Sequence, residues 1–119
     1  MTITIYHNPR CSKSRQTLAL IKDAGVTPQI VEYLKDTPSG ATIAGLAASL
    51  GVGVAEIVRT GESDYKDATD RPDLKDNNAL AAWIASHPKV LQRPIVVNEA
   101  TGKAVIGRPP ENVLGIIEK

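Results

Sequence analysis

Ile3-Thr4-Ile5-Tyr6-His7-Asn8-Pro9-Arg10-Cys11-Ser12-Lys13-Ser14-Arg15 joins two patterns across one turn. Ahead of Pro9 the residues alternate and are rich in Ile and Thr, which specifies a strand over 2–6. Beyond Cys11, apolar residues recur at Leu18, Leu20, Ile21 and Ala24, and Gly25 supplies a stop, so an amphipathic helix is expected over 12–24. Ser12 and Ser14 suit its first turn, where short hydroxyl side chains can accept from unpaired N–H groups. Cys11, the only cysteine of the chain, therefore stands at a helix N-terminus. There the free N–H groups and the dipole favour negative charge, which turns a thiol toward a thiolate.

A cysteine thiol begins near a pKa of roughly 8.5 and can drop to ~3.5–7.5 at a helix start beside cations. Arg10, Lys13 and Arg15 supply cations locally, and His7 precedes the cysteine. The same features make an anion cradle, because helix-start N–H groups hold oxyanions and a guanidinium fork matches them. A lone cysteine can also be a small buried hydrophobe; the Pro turn and the basic neighbours favour the reactive thiol. His7 is either a hydrogen-bonding residue at a strand end or a tuner of the thiol. Two neighbouring chemistries fail on spacing. A tyrosine-phosphatase-type cradle would need an arginine where Thr17 stands, and a dithiol motif would need a second cysteine where Ser14 stands. A redox reaction here must draw a thiol from outside.

The 119 residues suffice for one domain with a real core. That core must be aliphatic, because Trp83 and three Tyr are the only aromatics and Phe is absent. Fourteen basic against thirteen acidic residues leave a charge of +1, with no basic stripe interleaved with aromatics, so nucleic acid is not expected as a partner. No apolar run approaches a membrane span and no leader pattern opens the chain. One cysteine and two histidines, His7 and His87, make no metal-ligand cluster. A reduced thiol points to the cytosol, and a monomer is expected because no apolar stripe exceeds the needs of the core.

Gln29–Leu34 alternates and reads as a second strand, making a βαβ unit with a right-handed crossover. Ile43, Leu46, Ala47 and Leu50 mark a helix over 41–50 ended by Gly51, and a short helix is expected near Ala55–Arg59. From Thr60 to Asp76 the acids lack the spacing and glycine of a calcium loop, so this is a solvated loop with a helical turn at most. Asn78–Ser86 reads as a helix with Leu80, Trp83 and Ile84 on its inner face, and Trp83 belongs to the core. Ile95–Val97 and Ala104–Ile106 form a hairpin turning at Gly102. Pro109-Pro110 start a last helix that buries Val113, Leu114, Ile116 and Ile117. This order predicts an α/β fold of thioredoxin-like layout: a four-stranded mixed sheet flanked by helices. One domain over 1–119 is expected, with a helical insertion at about 39–90 between the βαβ unit and the C-terminal ββα unit.

Three motifs share the order and approximate spacing of one family: His7-Asn8-Pro9-Arg10-Cys11-Ser12-Lys13-Ser14-Arg15, Arg93-Pro94-Ile95-Val96-Val97 and Ile106-Gly107-Arg108-Pro109-Pro110-Glu111. With them the chain resembles the glutaredoxin-dependent arsenate reductases over essentially its whole length. The resemblance implies the thioredoxin-like fold again, with Pro94 at the position of the fold's cis-proline. It implies three oxyanion-binding arginines, which match Arg59, Arg93 and Arg108, with Arg15 as a further candidate beside Cys11. Arg93 and Arg108 both precede proline at strand ends; Arg59 lies in undistinctive surroundings and could equally be structural. The implied reaction is attack of Cys11 on arsenate, with His7 and Ser14 tuning the thiolate. Glutathione is then co-substrate and glutaredoxin the partner, and no bound cofactor is implied. Two other readings remain: a glutathione-linked thiol transferase of the same fold, or an Spx-like redox regulator binding RNA polymerase. The second loses ground because Ser14 removes the dithiol such regulators carry.

Overall fold

The computed structural model describes residues 2–117 and divides them into two compact units. One is built from the two ends of the chain, up to Asp36 and again from Arg93; the other is Thr37–Gln92.

The first unit holds the sheet. Strands β1 (Ile3–His7), β2 (Gln29–Glu32), β3 (Ile95–Asn98) and β4 (Lys103–Ile106) stand in the order β2-β1-β3-β4. β1 and β2 are parallel, joined by helix α1 (Ser12–Asp23), and the remaining pairs are antiparallel. This is the expected mixed sheet in a thioredoxin-like layout. Register explains where a site can form. Tyr6 pairs with Ile95, and Ile95 with Ile106, so the exit of β1, the entry of β3 and the exit of β4 lie at one end of the sheet. Residues 7–11, 93–94 and 107–108 therefore converge there by connectivity alone.

One sheet face and α1 enclose the core of this unit: Ile3, Ile5, Ile21, Val96, Val113, Ile116 and Ile117, with Leu18, Leu20, Ala24, Val26 and Val105 packed against it. A fully buried Ile such as Ile5 or Ile21 contributes about 1.5–3 kcal/mol. Asn98, itself buried, donates from Nδ2 to the Ile116 carbonyl at 2.8 Å and so ties the C-terminal segment to β3.

The structure alters four local expectations. β2 ends at Glu32 rather than Leu34, because its parallel partner ends at His7, opposite Glu32; the chain then turns, with the Lys35 and Asp36 N–H groups on the Glu32 carbonyl. The last helix is a 3₁₀ helix, Pro110–Gly115, and Leu114 is exposed rather than buried. Three residues per turn rotate Leu114 away from the stripe that a 3.6-residue period would give it. The short helix after Gly53 is likewise 3₁₀, Val54–Ile57. Finally, no side chain caps α1: its N-cap is Cys11, and the Ser14 hydroxyl is used elsewhere.

In the inserted unit, α2 (Gly40–Leu50) is capped by Ser39, whose hydroxyl accepts from Thr42 N–H, and closes on Gly51 at φ 75°. α3 (Ser63–Lys66) is the one turn within the acidic loop, and α4 (Asn77–Ser86) is capped by Asp76. α2 and α4 cross closely at Gly40, where a Cβ would lie 3.1 Å from the Ala82 Cα. Trp83 is buried, stacks on His87 at 4.2 Å, meets Tyr65 edge-on at 6.0 Å and donates from Nε1 to Asp70 at 3.2 Å. A buried indole with its N–H satisfied is a core residue. No helix among the described residues is long and apolar enough to cross a membrane.

Candidate active site

Three segments of the first unit build the site. The first is the loop from β1 to α1, held by its own polar groups. Asn8 organises it: its carbonyl accepts from Cys11 N–H at 3.0 Å, and its side-chain Oδ1 from Arg10 N–H at 3.0 Å. An Asn before proline closes such a turn because its short amide reaches the backbone two residues on. From below, the buried Ser14 hydroxyl accepts from Asn8 N–H at 3.0 Å and meets His7 Nδ1 at 2.6 Å. Arg15 donates from Nη1 to the Pro9 carbonyl at 3.0 Å, bracing the outside of the loop.

This scaffold sets Cys11 at the N-cap of α1 with extended backbone, φ −92° and ψ 122°, and leaves its side chain half-exposed. The first hydrogen bond of the helix runs from Arg15 N–H to the Cys11 carbonyl, so the N–H groups of Ser12, Lys13 and Ser14 have no acceptor within the helix. No acidic residue occupies the first turn, and the positive end of the helix is not neutralised there.

The second and third segments bring arginine. The Arg93–Pro94 and Arg108–Pro109 bonds are both cis. Gly107 N–H donates to the Pro94 carbonyl at 2.9 Å, joining the entry of β3 to the exit of β4. Arg108 then donates from Nε to the Arg93 carbonyl at 2.7 Å and from Nη2 to Cys11 Sγ at 3.5 Å. One guanidinium thus bridges two of the segments and points a donor at the sulfur, 97 residues away in sequence. Among the described residues its acceptors are a carbonyl and a sulfur, and no carboxylate there pairs with it.

Packing under the Arg108 turn is tight. A Cβ on Gly107 would fall 2.5 Å from Thr17 Oγ1 and 2.8 Å from Pro94 Cγ. Thr17 is fully buried and donates its hydroxyl to the Lys13 carbonyl at 2.8 Å, so it cannot step aside. Glycine at 107 is what lets the β4 exit approach α1.

His7 is buried, and burial holds its pKa below the ordinary histidine value; Arg15 and Lys22 push the same way against Glu32. The imidazole is therefore neutral at pH 7. With Asn8 N–H donating to Ser14 Oγ, the hydroxyl hydrogen is available to His7 Nδ1. The cation placed at the sulfur is Arg108, while His7 and Ser14 hold the loop that carries the cysteine.

Seven of the candidates read from the sequence, His7, Cys11, Ser14, Arg15, Arg93, Pro94 and Arg108, share the first unit. The eighth, Arg59, belongs to the inserted unit, where its Nη1 donates to Glu62 at 2.9 Å and its backbone N–H to the Val90 carbonyl. Asn8, Thr17, Gly107 and Asn112 were not singled out as site residues. Asn8-Pro9 and the glycine directly after a strand are signals that could have found two of them; Thr17 and Asn112 carry none that a single sequence displays. Among the described residues no group of His, Cys, Asp and Glu is placed to hold a metal ion.

Comparison with known proteins bears on this arrangement directly. The ArsC family model matches residues 6–116. The uncharacterized protein YfgD of Escherichia coli K12 is 47% identical over 116 residues, covering 97% of this chain and 96% of its own. An arsenate reductase of Haemophilus influenzae is 43% identical over 119 residues, covering 98% of this chain and 100% of its own. The structure of an arsenate reductase from Vibrio cholerae superposes with a TM-score of 0.88 at 44% identity, each chain being covered to 98%. The matched span runs from the end of β1 to the last 3₁₀ helix and so contains all three site segments: this chain is a member of the ArsC family.

Proposed function

We propose that this protein reduces arsenate to arsenite through Cys11, with glutathione and glutaredoxin as the source of electrons. The observation that carries the reading is the Arg108 guanidinium bonded to Cys11 Sγ at the unneutralised start of α1. A nucleophilic sulfur and an oxyanion both need positive charge, and here one cluster serves both. Relatives named arsenate reductase, such as those of Haemophilus influenzae and Vibrio cholerae, support the substrate.

Arsenate docks on the guanidinium groups of Arg108 and Arg93 and on the N–H groups of the first turn of α1, and its charge is spread before the thiolate arrives. Arg15 is a further oxyanion candidate beside Cys11, and the family resemblance implies the same role for Arg59. The Cys11 thiolate attacks arsenic, an As–S bond forms and an arsenate oxygen leaves as water. The thiolate of glutathione then attacks Cys11 Sγ. A disulfide bond forms, the As–S electron pair passes to arsenic, and As(V) leaves as As(III). Glutaredoxin takes the glutathionyl group by a second exchange and frees Cys11. The absence of another cysteine in the chain requires this external second thiol. The whole cycle uses residues of one domain, acting as a monomer in the cytosol.

The test is NADPH consumption with arsenate, glutathione, glutathione reductase and glutaredoxin. Arsenate-dependent turnover in the wild type, absent in Cys11→Ser, is expected. If arsenate gives no turnover while Cys11 is readily glutathionylated and deglutathionylated, the protein is a thiol transferase and the arsenate reading is lost.

A further inference from the structure

Arg108 is aimed by two groups, the Arg93 carbonyl on its guanidinium and the Asn112 side chain on its backbone turn. Opposite the Arg93 carbonyl, Asn112 in the last 3₁₀ helix donates from Nδ2 to the Ile106 carbonyl and to the Arg108 carbonyl, both at 3.2 Å. The backbone N–H of Asn112 itself bonds the Pro109 carbonyl at 3.1 Å. One amide therefore spans the exit of β4 and the residue that carries the guanidinium. The Arg108 N–H bonds back to the Ile106 carbonyl at 2.9 Å, so residues 106–108 form a tight turn whose two outward carbonyls are gathered by that single NH₂ group. Both of its hydrogens are used, which only a primary amide at this position supplies among uncharged side chains.

We propose that Asn112 is a positioning residue for the reaction. By fixing the 106–108 turn it holds the Arg108 guanidinium at Cys11 Sγ, and so sets the positive field in which the sulfur reacts. Asn112 touches neither the sulfur nor an oxyanion; it acts through Arg108. Arg108 is exposed and long, and without a fixed backbone its guanidinium would leave the sulfur for water. Gly107 and Thr17 pin the inner side of the same turn, and Asn112 pins the outer side. The proposal rests on the reading of Cys11 and Arg108 as the reacting pair, and its test needs no arsenate.

Cys11 is alkylated in parallel with iodoacetamide, which is neutral, and iodoacetate, which is anionic. The fraction of thiolate is common to both reactions, so the ratio of the two rates reports the positive charge beside the sulfur. Asn112→Ala is expected to lower the iodoacetate-to-iodoacetamide ratio by about threefold, the lower part of the range for one hydrogen bond. Arg108→Gln lowers it further, and the double variant matches Arg108→Gln alone, because Asn112 acts only through the Arg108 charge. Asn112→Gln, which keeps the amide one methylene further out, recovers part of the ratio. An unchanged ratio in Asn112→Ala, with or without a lower melting temperature, would overturn the proposal and leave Asn112 as a support of the last helix. Additive losses in the double variant would overturn it equally. Altered ratios in a protein that does not turn over arsenate would retain the proposal and count against the arsenate reading alone.

Discussion

The turn at Gly107–Pro109 and the loop at Val58–Glu62 each present an arginine, and the two side chains are engaged by groups of different charge. Arg108 donates to a backbone carbonyl and to Cys11 Sγ, both uncharged until the thiol ionises. Arg59 donates to the Glu62 carboxylate at 2.9 Å, with both side chains only partly exposed. A guanidinium held by neutral acceptors keeps its full charge for an incoming anion, whereas one paired with a carboxylate has much of it cancelled locally. The resemblance implies both arginines as oxyanion ligands, with Arg59 the one that could equally be structural, and the acceptors the two meet differ in charge. Sequence position names the residue; the acceptor it meets decides what its charge can do.

The sharpest way to break this comparison is to remove each guanidinium in turn. Arg108→Gln should lower kcat/KM for arsenate by about 10²-fold, as loss of one preorganised donor commonly does. Arg59→Gln should cost less than about tenfold, as expected for a charge already shared with a carboxylate. Equal losses in steady-state assays would show that the Glu62 pairing does not hold Arg59 back.

A smaller effect is expected from the packing that aims Arg108. Gly107→Ala places a methyl against the buried Thr17 hydroxyl and the Pro94 ring. Overpacking of this kind destabilises by about 1–3 kcal/mol, readable as a lower urea midpoint, and it should slow alkylation of Cys11 by displacing the turn. Stability equal to wild type would mean that α1 and the β4 exit can separate at no cost.

The smallest effect concerns the loop beneath the cysteine. Burial keeps the His7 pKa below its ordinary value of about 6.5. As pH falls below that value, the unfolded chain takes up a proton that the folded chain resists, so stability drops until the folded value is passed. His7→Gln should therefore lose less stability than wild type between neutral and mildly acid pH, measured as the difference of urea midpoints. Parallel curves for the two proteins would remove His7 from the acid response.

Much of this was legible from the residues alone. Alternation at Ile3–Tyr6 and apolar spacing through Ile21 located β1 and α1 within a residue, because periodicity records which face is buried. Gly51 and Gly102 marked turns that do adopt positive φ. Where local pattern failed, a distant partner or a subtler period was responsible. Leu34 alternates properly but has no strand beside it, since β1 ends opposite Glu32. Leu114 fits a 3.6-residue stripe, yet the segment winds at three residues per turn. Ser14 is a plausible helix-start hydroxyl, and the same hydroxyl is bonded instead by Asn8 N–H and His7 Nδ1.

The sequence by itself determined the single thiol at a helix start, the strand and helix order, and the lack of a second cysteine in the chain. These follow from residue identity and short-range pattern, which act through backbone geometry over a few positions. Only the tertiary structure decided which groups meet: Arg108 at Cys11 Sγ, Asn112 on the turn that carries Arg108, Ser14 beneath Asn8 and Glu62 on Arg59. For Arg108 the reason is register. Pairing Tyr6 with Ile95 and Ile95 with Ile106 puts the ends of three distant segments side by side, and a shift along any of these strands would give Arg108 a different acceptor.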